Sequence, residues 1–378
     1  MRADARSMPW VRDVPVDPVY LEQQAGPIGS DPIGCYLKHG VERGLNPTRW
    51  FHTDWYAWQN PDWVAEATPY QHFLEAGAHQ GRDPSPFVDV QRYCEVTGLS
   101  AGSVYGAIMA GCRSMALGVY DSARDLELCQ RHFLNGIEVV AHRVTVPDTP
   151  RKALVVVQAG RGAKVDSWFN ENNREWDLLV NYYDAAGFRL GLGDYVFFQK
   201  GTKFTAMWAF AKHFNDVLSL YDHVLFLDDD IDATCDGLNR LFRTCRKHDL
   251  ALAQMSLCER SSCNWPELFS RPGGTDPRAT TAVEIMMPVF SRKALQLVRP
   301  TLGRSISGYG LDLAWGKIVS EAGGKIAVLD DVVATHERAV DHSGGAYYAY
   351  LRRHMINPKA ELWVLSEDYA VDLNLSSV

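Results

Sequence analysis

Four carboxylates fall within five residues at Asp228, Asp229, Asp230 and Asp232, directly after the apolar run VLFL at 224–227. Like charges this close raise one another's pKa unless a cation intervenes. Mg²⁺ and Mn²⁺ suit oxygen ligands and offset that repulsion. Alternate residues of an extended segment share a face. Asp228 and Asp230 are therefore expected to converge on one Mn²⁺ or Mg²⁺, with Asp229 turned toward a ribose or a backbone amide. A cation held this way bridges the chain to a nucleoside diphosphate and acts as a Lewis acid on the leaving group. Asp232 reads as a solvated turn residue or a helix N-cap. The D-x-D pattern alone is common; the apolar run that fixes its position makes it specific.

Other side chains in the same half of the chain fit around that centre. His336, in Thr335-His336-Glu337, offers a neutral imidazole as a third metal ligand. Asp312, at the start of a helical stretch, is placed to deprotonate an acceptor hydroxyl as general base. Tyr309 and Gly310 precede it and Trp315 follows it; all three are expected on the acceptor side. Glu284 sits in an apolar segment, where an ionised side chain needs a partner; a sugar hydroxyl or an arginine would supply one. Gln158, Asp184, Lys203 and Asp229 are expected toward the donor, Lys203 on its diphosphate. Gln254 either touches ligand or satisfies backbone groups.

These residues must be held by a regular frame. Residues 153–157 (ALVVV) form a short unbroken apolar run, the signature of a strand buried on both faces. Gly160, Arg161 and Gly162 follow it. Further strands are expected at 176–183, 224–227, 250–255, 283–289 and 325–329. Helical stretches fall at 205–220, 237–248, 292–298 and 311–322. This alternation predicts an α/β domain, a mixed and mostly parallel sheet with helices on both faces, over 148–378. Ligands of such sheets bind at the carboxyl ends of the strands, where the acidic cluster lies.

The first 147 residues read differently. The segment from Asp31 repeats from Thr68 at an offset of 37 residues, matching Pro32 with Pro69, Gly40 with Gly77, Gly44 with Gly81, Pro47 with Pro84 and Tyr56 with Tyr93. Two helical units, about 31–67 and 68–104, are expected, each started by proline and capped at Gly40 or Gly77. Asp17-Pro18-Val19-Tyr20 looks like the tail of an earlier copy. Neither unit can bury its aromatic face alone, so the copies should stack. A helix at 122–133 and a linker at 146–150 close the region. His39, His52, His72 and His79 are expected to pack or face solvent.

Bulk composition narrows the rest. Of 378 residues, 46% are hydrophobic and 22% charged, the balance of a globular protein with a sizeable core. The net charge of −8 gives no general attraction to nucleic acid. The start of the chain lacks the apolar core of a secretory signal, and no run approaches the ~18 apolar residues that span a bilayer. A cytoplasmic location is expected, with peripheral membrane or complex association through the repeats left open. The eight scattered cysteines are expected to be buried free thiols.

Four stretches, YDHVLFLDDDI at 221–231, AVEIMMPVFSRKA at 282–294, GYGLD at 308–312 and IAVLDDVVATH at 326–336, resemble the domain-of-unknown-function 707 family. Its pattern is in turn similar to the glycosyltransferase A fold. Carried over by position, the family's D-E-D nominates Asp228 and Asp230 for the metal, its W-G-L-D nominates Asp312, and its V-H nominates His336. Downstream of His336, residues 337–345 depart from the family. The repeats resemble those appended to bacterial polysaccharide glycosyltransferases, through Tyr56-x4-Pro61-Asp62 and His72-Phe73-Leu74-x2-Gly77-x3-Gly81-Arg82-x-Pro84. The family name asserts no activity, but the D-x-D strand, the inferred fold and the repeats together imply transfer of a sugar from a nucleoside diphosphate sugar, UDP-linked, to a saccharide acceptor in bacterial surface polysaccharide synthesis; Asp312 acting as base implies inversion. Two other readings compete: a phosphoryl-transfer or hydrolytic metalloenzyme drawing on Asp330 and Asp331, and a non-catalytic polysaccharide-binding scaffold.

Overall fold

The computed structural model describes residues 15–63, 68–144, 147–263, 265–271, 273–274, 277–336, 345–371 and 373. Residues 337–344, together with Val64 and Val146, lie outside the described residues. The chain divides into two compact units, one up to Leu126 and one from Glu127 onward. Residues 127–144, ahead of the expected linker, belong with the second unit.

In the first unit each repeat begins with a capped, proline-led helix. Asp17, Asp31 and Thr68 cap Pro18–Ala25, Pro32–His39 and Pro69–His72, each side chain accepting the amide of the third helical residue. The Asp17 segment is thus an earlier copy of the same start. The two glycines of each repeat divide the labour differently from the expectation. Gly40 is right-handed, φ −61°. The left-handed turns are made by Gly44 and Gly81, at φ 61° and 75°. Gly40 and Gly77 serve close approach instead: a Cβ at Gly77 would lie 2.2 Å from the Tyr56 hydroxyl. The copies stack through aromatics, with Phe51 at 4.7 Å from Tyr70 and 5.4 Å from Phe73, centroid to centroid. His52 caps the helix Thr53–Gln59, and His72 Nδ1 lies 3.0 Å from the Tyr56 hydroxyl.

The second unit holds one sheet of ten strands among the described residues. In chain order they are β1 (Val140–Val144), β2 (Ala153–Ala159), β3 (Trp176–Tyr182), β4 (Tyr195–Phe198), β5 (His223–Asp228), β6 (Ile231–Asp232), β7 (Leu250–Leu257), β8 (Arg278–Ala279), β9 (Val289–Ser291) and β10 (Lys325–His336). Their spatial order is β1-β4-β3-β2-β5-β9-β7-β10-β6, with β8 beside β10. Strands β4, β3, β2, β5, β7 and β10 point one way; β9 runs against them between β5 and β7. Side chains alternate between two cores. Val155, Val157, Leu178 and Val180 pack with Leu238, Leu241 and Phe242 of the helix Cys235–His248. Leu154, Val156 and Leu179 pack with Phe210, Leu295, Trp315 and Leu365 from helices on the opposite face. The mixed, mostly parallel sheet covered on both faces is the expected fold class.

Three elements differ from the sequence reading. The strand expected at 283–289 does not form; β9 begins only at Val289, because Pro288 has no amide to donate and the amides of Glu284 and Met286 bond to side chains instead. The helix expected at 205–220 breaks into Lys203–His213 and Asn215–Leu218 where Phe214, at φ −130°, turns its ring onto Phe197. Strand β10 continues to His336 through a register break between Leu329 and Val333. There Asp330 leaves the ladder and takes a two-oxygen contact from Arg278, at 2.9 and 3.0 Å. All eight cysteines are free; Cys129 and Cys245 are buried, but Cys112 is exposed. Among the described residues no helix is long and apolar enough to cross a membrane.

Candidate functional site

The site collects at the carboxyl ends of the parallel strands. Asp228 ends β5, next to Gln158 on β2. His336 ends β10 and pairs with Ile231 of β6. That short antiparallel pairing fixes the turn carrying Asp229 and Asp230 against the end of β10. His336 Nε2 stands 3.5 Å from Asp230 Oδ2. Its Nδ1 lies 3.1 Å from the Ser262 carbonyl and donates to it; Nε2 then carries a proton toward Asp230 when the ring is charged and a lone pair for a metal ion when it is neutral. Burial opposes a charged ring, but Asp230 and the Ser262 carbonyl outweigh it and hold the imidazole pKa above its ordinary value.

The two outer aspartates have different neighbours. The Lys203 ammonium sits 2.8 Å from Asp228 Oδ1 and donates to the carbonyls of Ile285 and Met286 at 2.6 and 2.8 Å. Its three protons are spent, so Lys203 does not reach a diphosphate as expected; it is an internal counter-charge for Asp228. Burial raises the Asp228 pKa while Lys203 lowers it. Among the described residues no set of three His, Cys, Asp or Glu side chains is gathered at metal-ligand spacing. Asp229 points away from the other two, as alternation requires. It accepts the Gly160 amide at 2.7 Å and the Tyr183 hydroxyl at 3.1 Å. Asp232 is not the helix cap; Thr234 holds that position.

A second acidic pair lies close by. Burial, followed by the repulsion of Asp312 and Asp228, pushes Glu284 up to about 8. Burial likewise lifts Asp312 to about 6, against the hydrogen bond that the Leu313 amide donates to its Oδ1 at 2.9 Å. Among the described residues Glu284 meets no arginine; its Oε2 accepts the Met286 amide at 2.6 Å. Gln254 serves the backbone, accepting from the Glu284 amide and donating to the Met255 carbonyl.

The remaining candidates separate. Gly310, at φ 81°, makes the left-handed turn into the helix Leu311–Glu321. Tyr309 and Tyr348 share a hydroxyl contact of 2.6 Å. Trp315 is 0% exposed, donates to Thr301 and packs edge-on to Phe290. It belongs to the core and not to an acceptor surface, because its helix turns that face onto the sheet. Asp184 caps the turn Ala185–Gly187 through the Ala186 amide. Gln158 accepts from Asn181 at 2.5 Å, and its buried Nε2 has no partner among the described residues.

Sequence reasoning missed several neighbours. An open pocket of about 290 Å³ lies beside Asp229, lined by Gly160, Arg161, Tyr182, Phe188 and Arg189. Gly160-Arg161-Gly162 at a strand end was the visible signal; Arg189, paired with Asp166 at 2.9 Å, gave none. Ser262, which orients His336, sits in an irregular loop and carried no signal either. Among the alternatives, the two-metal reading loses Asp330, which Arg278 already occupies.

A three-layered α/β protein with charged groups concentrated at one end of a mixed sheet is the class that fold and site define. The sequence profile of the family described as protein of unknown function DUF707 matches residues 148–357, and the chain belongs to that family. No curated protein matches it. Among solved structures the chain is similar to GalNAc-T7, crystallised with UDP, GalNAc and Mn²⁺, at 11% identity and a TM-score of 0.39. That likeness covers 58% of this chain and 55% of the other. It is also similar to residues 1–349 of S. aureus TarS, at 15% identity, 49% and 60% coverage and a TM-score of 0.33. A third similar structure is A197 from STIV, at 13% identity, 49% and 85% coverage and a TM-score of 0.31.

Proposed function

We propose that this protein is a metal-dependent glycosyltransferase that moves a sugar from a nucleoside diphosphate sugar, UDP-linked, to a saccharide acceptor. The observation that carries the reading is the facing of Asp230 and His336 at the strand ends, with the histidine tautomer set by Ser262. Asp230 and His336 would hold the Mn²⁺ or Mg²⁺; Asp228, already bound to Lys203 through Oδ1, has its other oxygen to offer. When bound, the ion would supply Lewis-acid stabilisation of the departing diphosphate. The Asp229–Gly160 contact and the adjoining arginine-flanked pocket support placing the nucleotide there. The unpaired Gln158 amide gives a donor for a ligand oxygen beside it. Asp312, raised toward neutrality yet ionised at pH 7, suits a general base for the acceptor hydroxyl. Such a base gives inversion. Asp312 and the tyrosines Tyr309 and Tyr348 would face the saccharide. The repeat unit is proposed as a separate module, and surface polysaccharide synthesis as the setting.

Calorimetry with UDP in the presence and absence of Mn²⁺ tests the reading. Binding that requires both Mn²⁺ and Asp230 is expected. Metal-independent binding, or release of free phosphate in place of a glycosylated acceptor, would replace it with another function.

A further inference from the structure

The carboxylate of Glu361 is 0% exposed and lies on the helix Pro358–Asp368, beyond the end of the family match at residue 357. The helix is well determined there: Asn357 caps it, accepting the Lys359 and Ala360 amides, and Pro358 starts it. A buried carboxylate needs its oxygens satisfied. Glu361 receives five donors, at 2.9 Å from Gln130 Nε2, 2.8 Å from the Ile306 amide, 3.0 Å from Ser305 Oγ, and 2.8 and 2.5 Å from the Ser307 amide and Oγ. Four of them come from one short loop. Gln130, which lies ahead of the family match, also donates to the Arg304 carbonyl at 2.7 Å.

That loop leads directly into Tyr309, Gly310 and Asp312. Its far side is held by the same end of the chain, through the Tyr347 hydroxyl on the Ser307 carbonyl at 2.9 Å. Gly310 passes so close to the helix that a Cβ would lie 3.2 Å from the Leu362 Cα. A loop with Gly308 and Gly310 both at positive φ has little rigidity of its own. Its conformation is set from outside.

We propose that Glu361, assisted by Gln130, is the positioning residue that clamps the 304–310 loop and so sets the place of Asp312 in the site, a function built from segments flanking the family domain. Its catalytic consequence rests on the reading of Asp312 as base. Glu361 touches no reacting atom; it acts through the amides of Ile306 and Ser307.

Glu361→Gln keeps the shape and puts an amide NH₂ among donors. Hydrogen exchange on the full chain would then read the clamp without any substrate. The Ile306 and Ser307 amides should exchange about tenfold or more faster, while Val155 and Val157 in β2 stay unchanged. Turnover of UDP-sugars should fall by about tenfold or more in kcat with donor KM unchanged, since misplacement of a catalytic group acts on the chemical step. The Ser305→Ala/Ser307→Ala pair removes two donors, leaves the carboxylate intact and gives the same pattern in smaller measure should Glu361→Gln fold poorly. Unaltered exchange at Ile306 and Ser307 would overturn the clamp; faster exchange with kcat intact would overturn its part in placing Asp312. A wild-type protein that turns over no nucleotide sugar would instead sink the transferase reading, and the exchange result would still decide the clamp.

Discussion

The two compact units handle buried polar groups in opposite ways. In the repeat unit most buried polar side chains are hydroxyls and amides bonded within the unit: Tyr36 with Thr53, Thr48 with Tyr105, Asn60 with the Tyr56 carbonyl. In the α/β unit, ionisable groups crowd at one end of the sheet. Lys203, Asp228, Glu284, Asp312 and His336 all lie there, with pKa values of the four acidic or imidazole groups raised. A fold does not need such a crowd; each buried charge must be compensated by a partner. The contrast teaches where charge is concentrated: among the described residues the polar side chains buried in the repeat unit are uncharged, whereas the strand ends gather ionisable groups that need partners.

The largest effect that would sharpen this contrast is on turnover. Asp230→Ala should lower metal-dependent transfer about a thousandfold, the several kcal/mol a Lewis acid supplies, while thermal unfolding barely moves. Retained transfer would erase the distinction. Next comes stability: Lys203→Met leaves Asp228, one-third exposed, without its counter-charge and should cost about 1–3 kcal/mol in urea unfolding. A loss under about 1 kcal/mol would mean the ammonium is replaceable by solvent. In the other unit, Gly77→Ala drives a methyl into the Tyr56 hydroxyl and should cost about 1–3 kcal/mol with transfer unaffected. Impaired transfer in that variant would tie the repeats to the chemistry.

A pH dependence gives a separate check. Folded Glu284 keeps its proton up to about 8, whereas an unperturbed glutamate loses it near 4.5. Between those values the unfolded state binds fewer protons than the folded one, so stability falls as pH rises and the loss is complete above the folded pKa. Glu284→Gln should flatten this decline, measured as the change in unfolding midpoint from pH 5 to 8. An equally steep decline in the variant would assign it to other groups.

Local signals explain what could be read in advance. The proline-led helix starts at Pro32 and Pro69 were legible because a cap and a fixed φ act over three residues. Strands β2, β3, β5 and β7 were legible as apolar runs long enough to exceed chance. Strands β4, β6 and β8, of four, two and two residues, were not: their pairing is decided by the neighbours. Lys203 looked like a surface phosphate contact because nothing local reveals that the carbonyls of Ile285 and Met286, more than eighty residues away, surround it. Trp315 was misplaced for the same reason, since only packing onto Phe290 distinguishes a core face from a ligand face.

By itself, then, the chain order of apolar runs, prolines, glycines and aspartates determined the fold class, the repeat starts and the strand that Asp228 ends. Only the tertiary structure decided which carboxylate faces His336, which one Lys203 neutralises, and that Glu361 grips the loop before Asp312. Backbone preferences act over a few residues; the fate of a buried charge depends on partners that folding brings from elsewhere in the chain.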